Sequence, residues 1–204
     1  LDAAQAKTIN IDNSTATVGR TPGLTITAVG DNTATAMTFT GSGSTTATGA
    51  LSTGLLTLTG SAATGKLDLN VSTNTNNLTL TTGSGNDRVE AGTVGTNLTA
   101  DDSWNLGSGT NTLVVDDTEL TAQDIKDIKA VVGVTNLELS TTTAESDFDA
   151  EAVGAIDSFI LAGAITDAAG AAGTDGETTS NGTAANNQAL ALTGIENGDT
   201  FTIK

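Results

Sequence analysis

The sequence predicts a mainly β protein, an irregular right-handed parallel β-helix (a β-solenoid) with one or two short helices. In many short segments apolar residues alternate with Thr, Asp or Asn, which is the period of a strand with one buried face. Aromatic residues make up only 2% of the chain, whereas Thr is its most frequent residue and Gly is also common. Because large side chains are so scarce, a thin core shared by stacked coils is favoured over the thick core of a globule.

The predicted strands are separated by Gly, Asn, Ser and Asp residues, which are typical of turns. The segment Leu67-x-Leu69-x-Val71 shows the alternation most clearly, with polar residues between the apolar ones. The steps from Leu56 to Leu67 and from Leu67 to Leu78 are equal, but the steps elsewhere are longer, so the repeat is irregular. Strands are predicted over residues 8–12, 24–28, 36–40, 55–59, 66–71, 77–81, 88–91, 97–100, 112–115, 136–140, 158–161, 189–192 and 200–204.

A helix is predicted over residues 122–132. Thr121 can act as its N-cap, and Asp124 supplies the carboxylate at position N3 of a capping box. We expect this helix to cover an end or an edge of the solenoid, because uncapped coils expose unpaired backbone groups. A second short helix is predicted over residues 146–154. The apolar face of the first helix is predicted to consist of Ile125, Ile128 and Val132.

These elements predict an organisation in three parts. Residues 1–115 form a β-solenoid, residues 116–133 a helical insertion or cap, and residues 134–204 a continuing β-rich segment. Within the last part, residues 163–188 have almost nothing to bury, so we expect a long flexible loop there. Because Leu1 is not an initiator Met, we expect the chain to be a mature or trimmed piece of a longer protein.

Composition argues against an enzyme and against several classes of partner. The chain has no His, Cys or Tyr, which removes the usual general base, thiol chemistry and Cys-based zinc sites. The net charge is −17, and most of the acidic residues lie after residue 85. Such a surface repels nucleic acid and anionic lipid and attracts divalent cations. No run of about 18 apolar residues occurs, so no membrane-spanning segment is predicted.

Two glycine-rich turns in the middle of the chain are the main candidates for a metal site. The carbonyl groups of such turns and a nearby carboxylate are the hard oxygen ligands that Ca²⁺ prefers. The alternative is an ordinary tight turn in which Asp87 caps its own backbone. The candidate ligands are Gly83, Gly85 and Asp87 in the first turn, Gly107, Gly109 and Asn111 in the second, and the acidic pair Asp101 and Asp102.

Both turns resemble the nonapeptide repeats of RTX proteins, in which Gly-Gly-x-Gly-x-Asp-x-apolar-x units form a Ca²⁺-bound parallel β-roll. Thr82 stands where the first turn would begin with Gly, and Asn111 stands where the second would have Asp. The family has its repeats in tandem, whereas these copies can stack only if one coil is as long as the distance between them. The resemblance therefore implies one or a few isolated Ca²⁺ sites and not a full β-roll.

As a whole, the chain resembles bacterial surface-layer proteins and large RTX-type adhesins. The resemblance is carried by Thr-rich strands of period two, by acidity, by the absence of Cys, and by the segments 134–139 (VTNLEL) and 192–199 (LTGIENGD). It implies a secreted structural protein on the bacterial cell surface, which assembles with copies of itself into a lattice or filament ordered by Ca²⁺. The alternative is an adhesin stalk or a carbohydrate-binding solenoid whose partner is a cell-surface polysaccharide.

The pattern Thr-x-Thr recurs at residues 25–27, 38–40, 57–59 and 79–81. On one flat face of a solenoid, rows of this kind order water, as in ice-binding proteins. That arrangement needs regular coils, and the irregular spacing of this sequence favours polar outward strand faces as the explanation.

Overall fold

The computed structural model describes residues 6–14, 23–27, 33–116, 120–140, 148–149, 153–154, 156, 158–162, 192–193 and 200–203. In this part of the chain, parallel strands are arranged as a β-solenoid of about five turns with a single short helix. The predicted fold class, a mainly β solenoid, is confirmed.

Up to residue 115 the described chain alternates between two parallel sheets, and most of the later strands extend one of them. Sheet A has five strands in the order β1-β3-β5-β7-β9, and sheet B has eight in the order β2-β4-β6-β8-β10-β11-β13-β15. A separate pair, β12 and β14, is also parallel. The strands are β1 (Thr8–Asp12), β2 (Gly23–Ile26), β3 (Ala36–Gly41), β4 (Ser44–Ala47), β5 (Thr57–Ala63), β6 (Leu67–Asn70), β7 (Thr79–Thr81), β8 (Arg88–Gly92), β9 (Ser103–Asn105), β10 (Thr112–Val115), β11 (Asn136–Leu139), β12 (Phe148–Asp149), β13 (Ser158–Leu161), β14 (Leu192–Thr193) and β15 (Thr200–Ile203); helix α1 (Ala122–Ala130) lies between β10 and β11.

The core is a pair of apolar ladders, one from each sheet. Every second residue of a strand points between the sheets, and the parallel register places equivalent residues directly over one another. None of the ladder residues is more than 6% exposed, so each coil buries its apolar face on its neighbours. The ladder of sheet A is Ile9, Met37, Leu58, Leu80 and Trp104. The ladder of sheet B is Leu69, Val89, Leu113, Leu137 and Phe159.

The coils differ in length although most strand pairs keep their register. Thr8 pairs with Ala36 across one long coil, whereas Asp68 pairs with Arg88 across a shorter one. The corners between the sheets take up the difference. The irregular repeat of the sequence therefore falls mainly in the corners. Within the sheets, the register shifts after Thr38, between β3 and β5, and after Val114, between β8 and β10.

Two predicted elements are wrong. Residues near Leu98 form local turns, and residues 148–149 pair with a distant strand, which overrides a weak local helix signal. Residues 97–100 do not form a strand, and Leu98 takes part only in an isolated parallel bridge with Val94. Phe148–Asp149, inside the second predicted helix, is strand β12. The loop predicted at 163–188 lies outside the described residues.

The strands β4 and β9 are not predicted by the apolar pattern. β4 (Ser44–Ala47) contains no residue larger than Thr, and β9 has one large apolar residue, Trp104. Both are held by their neighbours, since β4 lies between β2 and β6, and β9 pairs with β7. Just before β5, Leu55 is fully buried and Leu56 is 49% exposed, whereas Leu58 within the strand is fully buried.

Helix α1 has the predicted beginning and a different end. The Thr121 side chain accepts the backbone N–H of Asp124, whose carboxylate accepts the N–H of Thr121, so the capping box is confirmed. Ile128 is fully buried, but Val132 is 59% exposed and has left the helix. Its backbone pairs instead with β9, donating to the carbonyl of Trp104 at 3.0 Å. The predicted apolar face is therefore wrong at Val132, because the edge of sheet A competes for its backbone groups.

Candidate functional site

The two glycine turns lie directly over one another. Both belong to what we call the glycine corner, the segments 41–43, 63–65, 83–87 and 107–111, each of which links a strand of sheet A to the next strand of sheet B. A Cβ built on Gly107 would lie within 3.0 Å of the Gly83 carbonyl oxygen, and one on Gly109 would meet that of Gly85 as closely. The segment from one turn to the next therefore spans one coil, which is the condition that their stacking requires.

The glycines are explained by this close approach of backbones. A Cβ on Gly83 would collide with the carbonyl of Ala63 in the preceding coil, and Gly65 stands over Gly43 in the same way. Backbone hydrogen bonds join the turns, such as that from Ser108 N–H to the Gly83 carbonyl at 3.1 Å. In the second turn φ is also positive, at 68° for Gly107 and 106° for Gly109, which disfavours any residue with a Cβ.

The Asp87 carboxylate lies inside the glycine corner and is 1% exposed. Its Oδ1 accepts the backbone N–H of Leu67, in the preceding coil, at 2.8 Å. Its Oδ2 accepts the N–H of Gly83, in its own turn, at 3.2 Å. Asp87 therefore caps its own turn and also ties that turn to the coil before it.

Asn111 takes the place of Asp87 one coil later. Its Oδ1 accepts the backbone N–H of Asp87 at 2.9 Å, and its Nδ2 donates to the carbonyls of Leu106 at 2.7 Å and Gly133 at 3.0 Å. One coil further, the Thr135 hydroxyl accepts the N–H of Asn111 at 3.2 Å. Asp87, Asn111 and Thr135 thus form a side-chain ladder. Asn suits the second position because its amide nitrogen faces two carbonyl oxygens, which a carboxylate would repel.

Asp101 and Asp102 lie at the opposite corner, where sheet B leads back into sheet A. Asp102 Oδ1 accepts the N–H of Leu78 in the preceding coil at 2.6 Å, and its Oδ2 accepts the N–H of Thr99 at 2.8 Å. Asp101 is exposed. The predicted metal ligands are therefore distributed over two corners. Among the described residues, no three His, Cys, Asp or Glu side chains come close enough together to hold a metal ion.

A cluster of charged residues on the outer face of sheet B is not predicted by the sequence. The Arg88 guanidinium lies 3.1 Å from Glu138, 3.6 Å from Asp68 and 3.8 Å from Glu90. The pair with Glu138 spans the intervening strand β10, so it joins two coils that are not direct neighbours. Only the register of the strands brings these charged residues together, so no local sequence motif predicts the cluster. The pairs of Arg88 with Asp68 and Glu90 are partly exposed, so each stabilises the stack only modestly, whereas the pair with Glu138 involves a buried carboxylate.

No known protein family, curated protein or solved structure matches this sequence. The resemblance to RTX and surface-layer proteins therefore rests on the sequence motifs alone. Within the described residues, no helix has both the length and the apolar character that crossing a bilayer requires.

Replacing Gly83 by Ala should lower the free energy of unfolding by about 1–3 kcal/mol, because the new Cβ meets the Ala63 carbonyl. Urea unfolding followed by circular dichroism measures the change. Gly23→Ala is the matched control, since nothing lies within 4 Å of a Cβ at that position. Equal effects of the two substitutions would contradict the close stacking of the corner.

Replacing Asp87 by Asn should cost about 1–3 kcal/mol of stability, because one terminal atom then becomes a donor facing a buried backbone N–H. The same urea titration at neutral pH measures it. The control is Asp101→Asn, which removes an exposed carboxylate from the same acidic region and should change stability by less than about 0.5 kcal/mol. If Asp87→Asn is as stable as the parent protein, the side-chain ladder does not hold the coils together.

Proposed function

We propose that this protein is a structural module, a β-solenoid subunit that assembles with copies of itself into an extracellular surface array. The observation that carries the proposal is a strand edge that has no partner among the described residues, which we call the open edge. Among the described residues, the first strand of each sheet, β1 in sheet A and β2 in sheet B, pairs with one neighbour only. An open edge presents a row of unpaired backbone groups on which a further strand can be added.

The polarity of the β1 edge follows from its pairing. The Lys7 carbonyl accepts the N–H of Ala36, and Asn13 N–H donates to the Thr40 carbonyl, so the odd-numbered residues bond to β3. In a parallel strand the alternate residues face the other side. The backbone groups of residues 8, 10 and 12 therefore point to the open edge. A parallel strand of a second copy would continue the ladder there, and such a head-to-tail contact generates an open-ended assembly.

The buried polar chemistry of the coils also supports a structural role. Asp87, Asn111 and Asp102 use their side-chain atoms on backbone groups of their own or neighbouring coils. Polar groups whose hydrogen bonds are already made within the protein stabilise the stack of coils and are not arranged to react with a substrate. A module of this kind serves as a scaffold whose outer faces and ends make the contacts.

In this proposal Ca²⁺ acts between copies. The carboxylates of Asp87 and Asp102 accept two or more hydrogen bonds within the stack, so the coil needs no ion to neutralise an unpaired buried oxygen there. The net charge of −17 opposes close packing of copies. Divalent cations reduce this repulsion by screening and by binding exposed carboxylates such as Asp101.

Asn10→Pro should prevent assembly and leave the coil folded. Proline removes the N–H that points to the open edge and spares the β1–β3 bonds, which use the residues on either side. Analytical ultracentrifugation and electron microscopy follow the size of the assemblies, with Asn10→Ala as the control that keeps the N–H. Growth of the proline variant at the rate of the control would rule out this edge as the contact. Failure of the parent protein to assemble would favour the adhesin stalk.

Chelation with EDTA should disperse the assemblies without unfolding the subunit. The melting temperature of the subunit should shift by less than about 2–4 °C, which corresponds to about 1 kcal/mol for a chain of this size. Differential scanning calorimetry measures the melting and light scattering the dispersal, with NaCl of equal ionic strength as the control for simple screening. Unfolding of the isolated subunit in EDTA would place the ion inside the coil instead.

A further inference from the structure

We propose that the outer face of sheet A is an ice-binding surface. This face is defined by the outward residues of β1, β3, β5, β7 and β9, which form two in-register columns across the five coils. The first column is Thr8, Ala36, Thr57, Thr79 and Ser103; the second is Asn10, Thr38, Thr59, Thr81 and Asn105.

The columns are regular although the sequence repeat is not. Thr38, Thr59 and Thr81 lie side by side on consecutive strands, because the register shift between β3 and β5 comes after Thr38 and leaves both columns aligned. Neighbouring strands lie about 4.8 Å apart, and outward residues two positions apart on one strand lie about 6.6 Å apart. The spacing between strands is close to an oxygen–oxygen repeat of hexagonal ice, so a column of Thr hydroxyl groups can follow one row of the ice lattice. The regularity that rows of Thr need in order to organise water is therefore present on this face.

The hydroxyl groups of the columns are available to water. In the part of the chain that the structure describes, the side chains of Thr57, Thr59, Thr79 and Thr81 make no hydrogen bond to protein and are exposed or half-buried. Each Thr offers a hydroxyl that can join a water lattice, and a methyl group that restricts where neighbouring water can lie. A β-branched side chain on a sheet is also stiff, so its hydroxyl group is already held in place before the protein contacts ice.

The face is nearly free of charge in a strongly acidic chain. Asp12, at its margin, is the one ionisable residue in the five strands of sheet A. The outer face of sheet B, by contrast, carries Asp68, Arg88, Glu90 and Glu138. Charged groups organise water around themselves in arrangements that differ from ice. The neutral hydroxyl face is therefore the one on which an ordered water layer can form.

The size and chemistry of this face favour ice over a protein partner. Its two columns and five strands cover roughly 300 Å², estimated from strand spacing, which is well below the ~800 Å² per partner of a stable protein interface. The columns contain no aromatic or Arg anchor of the kind that dominates protein interfaces. Ice is a rigid, neutral and repeating solid, so a protein surface binds it through groups that repeat at regular intervals. The two columns provide such groups.

Incorporation into ice tests the proposal directly. The full chain, fluorescently labelled, is offered to a slowly growing ice hemisphere, and the fraction frozen in is compared with that of labelled serum albumin. Ice-crystal shaping in a nanolitre osmometer is recorded in parallel. We expect the parent protein to enter the ice and to shape crystals. Exclusion to the level of albumin, without shaping, would overturn the proposal.

Matched variants locate the surface. Thr59→Lys places a hydrated charge at the centre of the second column and should reduce incorporation to the albumin level. Thr81→Lys tests the same column if the first variant folds poorly. Thr46→Lys is the control, because Thr46 is equally half-buried but lies on the outer face of sheet B, beside Asp68. Circular dichroism checks folding. Incorporation of a folded Thr59→Lys or Thr81→Lys variant at the parent level, or its loss in Thr46→Lys, would exclude this face.

Discussion

The fold depends on how closely the backbone of one coil approaches that of the next at the glycine corner. The carbonyls of Ala63, Gly83 and Gly85 occupy the space where side chains of the following coil would begin. This contact sets the register of the strands that leave the corner, and the register in turn aligns the apolar ladders of both sheets. A chain with 2% aromatic residues can then build a core, because each buried residue is covered by its equivalents above and below.

Polar side chains supply the hydrogen bonds that the backbone of the corners cannot form by itself. Where a corner leaves an N–H without a partner in the ladder, a side chain from the next coil accepts it, as Asp87 does for Leu67 and Asp102 for Leu78. At the opposite corner the amide of Asn74 donates to a carbonyl of the preceding coil, and the amide of Asn97 to the Asn74 carbonyl. Forming these hydrogen bonds costs little free energy when the coils stack, whereas a buried N–H or carbonyl group left without a partner would cost about 1–3 kcal/mol. Acidic and amide residues in the corners are thus part of the stacking itself.

The predictable part of this fold is the part encoded in neighbouring residues. Period-two alternation locates β1 and β6, and the Thr121–Asp124 capping box locates the start of α1, because both signals lie within a few residues. The strand β4, the bridge at Val132 and the Arg88–Glu138 pair depend on partners in other coils, and no local pattern carries that information. The role of Asp87 cannot be predicted for the same reason. The local sequence of a glycine turn is identical whether its carboxylate binds an ion or accepts a backbone N–H of the preceding coil.

The register also separates the chemistry of the two outer faces. On sheet B, Asp68, Arg88 and Glu138 bring opposite charges together across several coils, and the ion pairs hold neighbouring strands. On sheet A, the same regular stacking presents Thr, Asn and Ser in columns with one carboxylate at the margin. An acidic chain that avoids charge on one face has a surface that neighbours can approach without electrostatic cost, whether the neighbour is water, ice or another copy. The uneven distribution of charge therefore gives the two outer faces of the solenoid different contacts.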